Sequence, residues 1–384
     1  MKNEKFFIDD NEYSSKKVLV IAELGTSHGA DLIKASELIE AAVEAGADCI
    51  KFQIVYAGEI LHPNTGEVTL PGGKIRLYDR FRELELSPRF FAEMKEKVEK
   101  KGLIFLCTPF GLQSARELYE LKPKCVKIAS PELNYTALLK EVAAYSLPVF
   151  LSSGVSMLGD IEEALSILGK NPVCLLHCVT SYPAPEKDYN LSVLKSLNAI
   201  FGVPVGVSDH SLDPCLVPVL GTVMGASVIE KHFCLDRSDP GLDDPIALPP
   251  DSFSAMVKAI RRAEKAGPEE TIKAMKLEHG EALIDGILGD GVKRLAQSEK
   301  ANYERTNRSI HALKEIREGE IIQKHMIASL RTEKILRPGL PPSWEERIIG
   351  LKARALIPAG QGIRFEDIAG SSSRGITENK ILMC

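Results

Sequence analysis

The sequence is poor in aromatic residues, which make up 6% of it, and Trp344 is its one tryptophan. No stretch approaches 18 uninterrupted apolar residues, so no membrane-spanning helix is expected. The opening MKNEKFFIDDNEY is charged and has no apolar centre, unlike a secretory signal. An excess of one charge sign is missing too. The formal net charge of −5 gives no electrostatic reason to expect nucleic acid or an anionic membrane as partner. Cysteine pairs are also absent: the eight cysteines are scattered, and Cys174 and Cys178 do not form a CxxC. Several lie in apolar runs such as FLCTP and LLHCV, which suits buried free thiols in a reducing cytoplasm.

What is present is a repeating alternation. From residue 17 to about 266, a short β-branched run is followed by a stretch of helical period, eight times over. The runs are 17–23, 48–53, 103–109, 125–130, 148–153, 172–178, 204–209 and 226–232. Between them, LIKASELIEAAVEAGA is expected to place Ile33, Leu38, Ile39, Ala42 and Val43 on one helical face. SPRFFAEMKEKVEKKG carries end signals in Ser87, Pro88 and Gly102. Strands alternating with helices imply parallel pairing with right-handed crossovers, and eight units are the count of a (β/α)₈ TIM barrel. An open doubly wound sheet is the competitor, but no GxGxxG follows the first strand. The stretch before residue 17 is read as a hairpin plugging the lower end of the barrel. Residues 1–267 thus form one unit and 268–305 a polar linker. Residues 306–370 form a small, mostly irregular β domain, and the Gly/Ser-rich tail 371–384 is expected to be loosely held.

A TIM barrel does its chemistry at the C-terminal ends of its strands. Here those ends are polar: Glu23; Lys51 and Gln53; Thr108; Lys127, Ser130 and Glu132; Ser152 and Ser153; His177, Thr180 and Tyr182; Ser208, Asp209 and His210; Glu230, Lys231 and His232. Two lysines among hydroxyls suit a small, multiply charged anion such as a phosphate ester with a carboxylate. The bland alternative is that the lysines only pair with Glu23 or Glu132. His210 and His232, on adjacent strands, suit a divalent metal able to polarise a carbonyl. His177 is read as structural. Lys231 alternates away from His232, toward the outer helices or solvent, while Glu230 shares the inward side with His232.

On these residues the sequence resembles the sialic acid synthase family. The likeness runs through IAELGTSH (21–28), KFQ (51–53), TPF (108–110), KIAS-PE (127–132), LSSG (151–154), SYPAP (181–185), SDHS (208–211) and EKHF (230–233). ILRPGLPP (335–342) and IIGLKARALIPAGQGI (348–363) resemble that family's antifreeze-like (SAF) domain. The resemblance implies condensation of phosphoenolpyruvate with an N-acetylmannosamine-like, N-acylated amino-sugar aldehyde to give a sialic-acid-type sugar acid and phosphate. It implies a divalent metal on His210 and His232, commonly Mn²⁺, with Mg²⁺ or Co²⁺ as substitutes. It places phosphoenolpyruvate on Lys51, Thr108, Lys127, Ser130, Ser152 and Ser208. It places the sugar on Glu23, Gln53 and Tyr182, with Glu132 and Asp243 joining Glu23 as proton-handling carboxyls. It also implies a domain-swapped homodimer in which Arg337 reaches the neighbouring barrel. The likeness departs from the family pattern at Ser27, Gly73 and Thr180, which leaves the acceptor sugar open. A Schiff-base aldolase using Lys51 or Lys127, a silent sugar-binding protein and a synthase using an aldose phosphate are the competing readings.

Overall fold

The structure, a computed structural model, describes residues 4–70, 73–333 and 335–369. Each of the eight expected apolar runs holds one strand: β1 (Leu19–Gly25), β2 (Cys49–Ile54), β3 (Ile104–Pro109), β4 (Val126–Ile128), β5 (Val149–Ser152), β6 (Val173–Cys178), β7 (Val205–Asp209) and β8 (Val228–His232). They pair in parallel in the order β3-β2-β1-β8-β7-β6-β5-β4. β3 and β4 pack side by side and complete the ring. Every residue of β1, β6, β7 and β8 is buried, because one side of each strand faces the barrel interior and the other the helices.

The helices form where the sequence signals them. α1 (Leu32–Glu44) is capped by Asp31, whose carboxylate accepts from the backbone N–H groups of Ile33 and Lys34 at 2.6 and 3.1 Å. It buries Ala35, Leu38, Ile39 and Ala42. Ile33 does not belong to that face and is 71% exposed. At about 100° per residue, it stands about 180° around the helix from Ala42. α2 (Pro88–Lys100) starts with proline and buries Phe90, Phe91, Met94 and Val98. The N-terminal hairpin pairs Phe6–Ile8 with Asn11–Tyr13 and packs Phe6, Ile8 and Tyr13 on Cys49, Cys125, Phe150 and Cys174, at the lower end of the barrel.

The linker is helical over Pro268–His279 and Glu281–Leu288, then runs without a strand to Arg308. The C-terminal unit pairs β9 (Arg308–Ala312) with β10 (Ile327–Arg331), and β11 (Lys352–Ala353) with β12 (Ile368–Ala369), all antiparallel. Its own core includes Ile310, Ile316, Ile322, Ile348, Ile357 and Ile363. Residues 371–384, read as a loose tail, lie outside the described residues.

This unit is fastened to the barrel by a buried charge cluster. Arg308 donates to Glu132 Oε1 through Nε (3.0 Å) and an Nη (2.8 Å), and both side chains are 0% exposed. Arg308 also donates to the Phe110 carbonyl at 2.6 Å, and Arg331 donates to the same carboxylate at 2.8 Å. Removing one partner from such a cluster strands the rest in a low-dielectric setting. We therefore expect Arg308→Met to lower stability by about 3 kcal/mol in chemical denaturation. A loss under about 1 kcal/mol, the size of a solvent-exposed pair, would show that the cluster does not fasten the domains.

Candidate active site

The inward-facing ends of five strands converge on one chain of charge. Lys51 of β2 donates to Glu230 Oε1 of β8 at 2.7 Å, Lys127 of β4 donates to the same oxygen at 3.0 Å, and Ser208 of β7 adds a third bond at 2.9 Å. Glu23 of β1 lies 3.2 Å from the Lys51 ammonium. The register explains the convergence: Glu230 stands opposite Ser208, and Glu23 stands opposite both Lys51 and His232. Lys51 therefore does pair with Glu23, but as part of a pocket wall. Burial alone would raise the Glu230 pKa; the ammonium groups of Lys127 and Lys51 overcome that and hold its carboxyl well below the usual range. Burial, reinforced by the charge of Lys51, pushes Lys127 below its usual value.

These groups line a cavity of about 240 Å³ at the C-terminal mouth of the barrel. Gln53, Thr108, Ser130, Ser152, Tyr182, Asp243, His210 and His232 line it too. The hydroxyls of Thr108, Ser152 and Thr180 are buried with no hydrogen-bond partner. Buried hydroxyls are normally satisfied, so three orphans beside two ammonium groups mark a place for a ligand's oxygens. Glycine lets the wall close in: a Cβ at Gly154 would collide with Thr180 Oγ1 and Ser130 Oγ.

On the opposite wall two carboxyls and an amide gather round Gly25, whose φ of +51° turns the chain after β1. Gln53 donates to Glu23 Oε1. Burial raises the Glu23 pKa to about 7 against the opposing pull of Lys51, and burial raises Asp243 to about 6 against that of His210. Both can exchange protons near neutral pH.

The two histidines stand with ring centroids 5.5 Å apart, and Tyr182, half-exposed, stacks on His210 at 4.2 Å. His210 Nδ1 donates to the Val179 carbonyl at 2.8 Å, which turns Nε2 away from that bond. Burial and the neighbouring His210 push His232 well below its usual pKa, toward the neutral form that binds metals. Among the described residues no group of three or more His, Cys, Asp or Glu side chains could hold a metal ion. The donors fit a metal only as a two-imidazole set that leaves the other positions to water and substrate.

Other expected residues lie elsewhere. Glu132 is outside the cavity, because Arg308 and Arg331 occupy its carboxylate in the interdomain cluster. Arg337 is outside it as well: Asp367 and the Gly362 carbonyl hold its guanidinium within the C-terminal unit. That unit instead contributes Arg331 and Glu333 to the rim, which no strand pattern predicts because it depends on domain docking. Lys231 points outward as expected from alternation, but it is 1% exposed and pairs with Asp209 at 2.6 Å under the helices, not in solvent. Asp209 likewise faces away from the mouth. His177 is structural, bonded to the Tyr189 carbonyl at 2.6 Å. Ser27 bonds to Asp244 below the loop that carries Asp243.

Residues 38–271 of the chain match the NeuB family, and residues 307–369 match the SAF domain. The chain belongs to the NeuB family. It is 34% identical over 358 residues to the spore coat polysaccharide biosynthesis protein SpsE of Bacillus subtilis, covering 91% of this chain and 93% of that one. The crystal structure of SpsE superposes with a TM-score of 0.80 at 32% identity, over 95% of this chain and 99% of that one. The N,N'-diacetyllegionaminic acid synthase of Campylobacter jejuni is 34% identical, over 82% of this chain and 91% of its own length. The pseudaminic acid synthase of the same species is 32% identical, over 93% and 98%. This NeuB-family chain thus has a parallel barrel followed by a SAF domain, and no helix among its described residues is long and apolar enough to cross a membrane.

The raised pKa of Glu23 makes a stability prediction. The folded chain holds this proton up to about pH 7, whereas an unfolded glutamate releases it near 4.5. Stability from this group is therefore full below pH 4.5 and lost as pH rises through 7. In metal-free protein, Glu23→Gln should be more stable than wild type above pH 7, on the order of 2–3 kcal/mol, with the difference shrinking steadily toward pH 4.5. A difference independent of pH in denaturant titrations would refute the buried, protonatable carboxyl.

Proposed function

We propose that this chain condenses phosphoenolpyruvate with an N-acylated amino-sugar aldehyde, giving a nonulosonic acid and phosphate. The activities by which the Campylobacter relatives are named support the product class. The observation that carries the reading is the Lys51–Glu230–Lys127 chain of charge facing the orphaned hydroxyls of Thr108, Ser152 and Thr180. Two ammonium groups tied to one carboxylate leave donors for a second anion, and phosphoenolpyruvate brings both a carboxylate and a phosphate.

In the reaction C3 of phosphoenolpyruvate attacks the aldehyde carbon, and the aldehyde oxygen takes a proton. Water adds at C2, the C2–O bond breaks, phosphate leaves, and the remaining C2 hydroxyl loses its proton to become a ketone. Lys51 and Lys127 hold the anionic end. Glu23, protonatable near neutral pH, delivers the proton to the new alkoxide, with Gln53 orienting it. Asp243, ionised at lower pH, takes the proton from water. Tyr182 stacks over the sugar end of the pocket. His210 and His232 would hold a divalent ion, Mn²⁺ or in its place Mg²⁺ or Co²⁺, which when bound supplies a Lewis acid for the aldehyde carbonyl. Arg331 and Glu333, from the C-terminal domain, narrow the mouth and limit water. A swapped homodimer with Arg337 in a second barrel would require that side chain to leave Asp367 and Gly362. An unchanged sugar KM in Arg337→Ala would exclude that reach.

The test is phosphate release from phosphoenolpyruvate against a panel of N-acylated hexosamines, including deoxy-diamino relatives, with and without Mn²⁺. We expect metal-dependent release that falls by at least about a hundredfold in Lys127→Ala and in His232→Ala. Turnover surviving a chelator would contradict the metal reading. Borohydride trapping of pyruvate on Lys127, with no phosphate released, would replace the condensation by Schiff-base chemistry.

A further inference from the structure

The segment between the last barrel helices and the C-terminal domain has no regular strand, yet its side chains do one job repeatedly. Glu299 is 1% exposed, and its Oε2 accepts from the backbone N–H groups of Val155 (3.1 Å) and Thr180 (3.0 Å). Its Oε1 is fixed in turn by the N–H of Ala296 at 3.0 Å. Asn302 donates to the Thr180 carbonyl at 2.8 Å, Asn307 to the Val155 carbonyl at 3.0 Å, and Lys293 to the Ser153 carbonyl at 3.0 Å. Four side chains from one segment thus grip the loop after β5 and the loop after β6, and Glu299 alone ties the two together.

Those two loops carry part of the pocket wall. Ser152 ends β5, and Thr180 follows β6; their orphaned hydroxyls face the cavity. Between them Gly154 donates its N–H to Ser130 Oγ at 3.0 Å, leaving no room for a side chain. The backbone donors of Val155 and Thr180 are therefore spent on Glu299, and the ligand is left with hydroxyls whose positions depend on where that carboxyl holds the loops. A glutamate beside an anion site is electrostatically unfavourable unless its hydrogen bonds are satisfied and its geometric role outweighs the repulsion. Three backbone N–H groups satisfy it here.

We propose that Glu299 is a positioning residue: it clamps the loops after β5 and β6 so that Ser152 and Thr180 present their hydroxyls to the phosphoenolpyruvate end of the pocket. The proposal rests on the condensation reading for the ligand's identity, but not for the clamp itself. The linker is on this account a working part of the barrel mouth.

Two readouts test this in the full-length protein, hydrogen exchange and steady-state kinetics. In Glu299→Ala we expect amide exchange to rise by at least about tenfold in residues 152–157 and 178–181 with the rest of the barrel unchanged, as for a local opening. The KM for phosphoenolpyruvate should rise about tenfold, with kcat and the amino-sugar KM within about twofold. Glu299→Gln keeps an oxygen that can face Val155 and Thr180, and should recover most of both effects. Should Glu299→Ala not fold, Asn302→Ala, which removes the bond to the Thr180 carbonyl, should raise exchange in residues 178–181 and the phosphoenolpyruvate KM by about threefold. Unchanged exchange in both segments, or faster exchange across the whole barrel with both KM values raised together, would overturn the clamp. If wild-type protein releases no phosphate, the condensation reading fails, while the exchange measurement still decides the clamp.

Discussion

Three buried charges from three different strands meet at one oxygen. Lys51 and Lys127 both bond to Glu230 Oε1, and none of the three side chains is more than 5% exposed. Two ammonium groups this deep repel each other, and the one carboxylate between them offsets part of that repulsion. On the proposed reading these two ammonium groups give the mouth of the barrel its affinity for an anion. Glu23 then sits near enough to Lys51 to remain in the pocket, and burial holds its proton near neutral pH. On that reading the acid–base chemistry and the anion binding are consequences of one arrangement. The barrel is what makes it possible, because its ring of parallel strands turns side chains of β2, β4 and β8 into one interior.

The rest of the chain serves that mouth. The linker fixes two of its loops through Glu299, Asn302, Asn307 and Lys293. The C-terminal domain is fastened by Arg308 on Glu132 and supplies Arg331 and Glu333 to the rim. Glu132 shows how one carboxyl can look catalytic in a linear sequence and prove to be the anchor of a domain.

Much of this is legible in the sequence because two rules have little freedom. Hydrophobic runs of six or seven residues between amphipathic helices point to a parallel sheet, and the polar residues at each run's end then gather at one mouth. Strand alternation also places Glu230 inward with His232 and Lys231 outward, and both orientations hold. What alternation cannot show is what lies behind a strand. Lys231 finds Asp209 under the helices because those two outward positions are adjacent in register, so it is buried without being in the pocket. Ile33 looked like part of an apolar stripe, but its angular position puts it on the far side of α1. Arg331, Glu333 and Glu299 carry no local signal, since their roles arise only when distant segments dock.

On this reading the paired lysines, balanced by one carboxylate, bind the anionic substrate. Calorimetric titration of phosphoenolpyruvate into wild type, Lys51→Met and Lys127→Met tests it most directly, since each variant keeps the stem's volume and removes one charge. We expect saturable binding to wild type and a loss of at least about a hundredfold in either variant. Affinity retained within about twofold in both variants would contradict it.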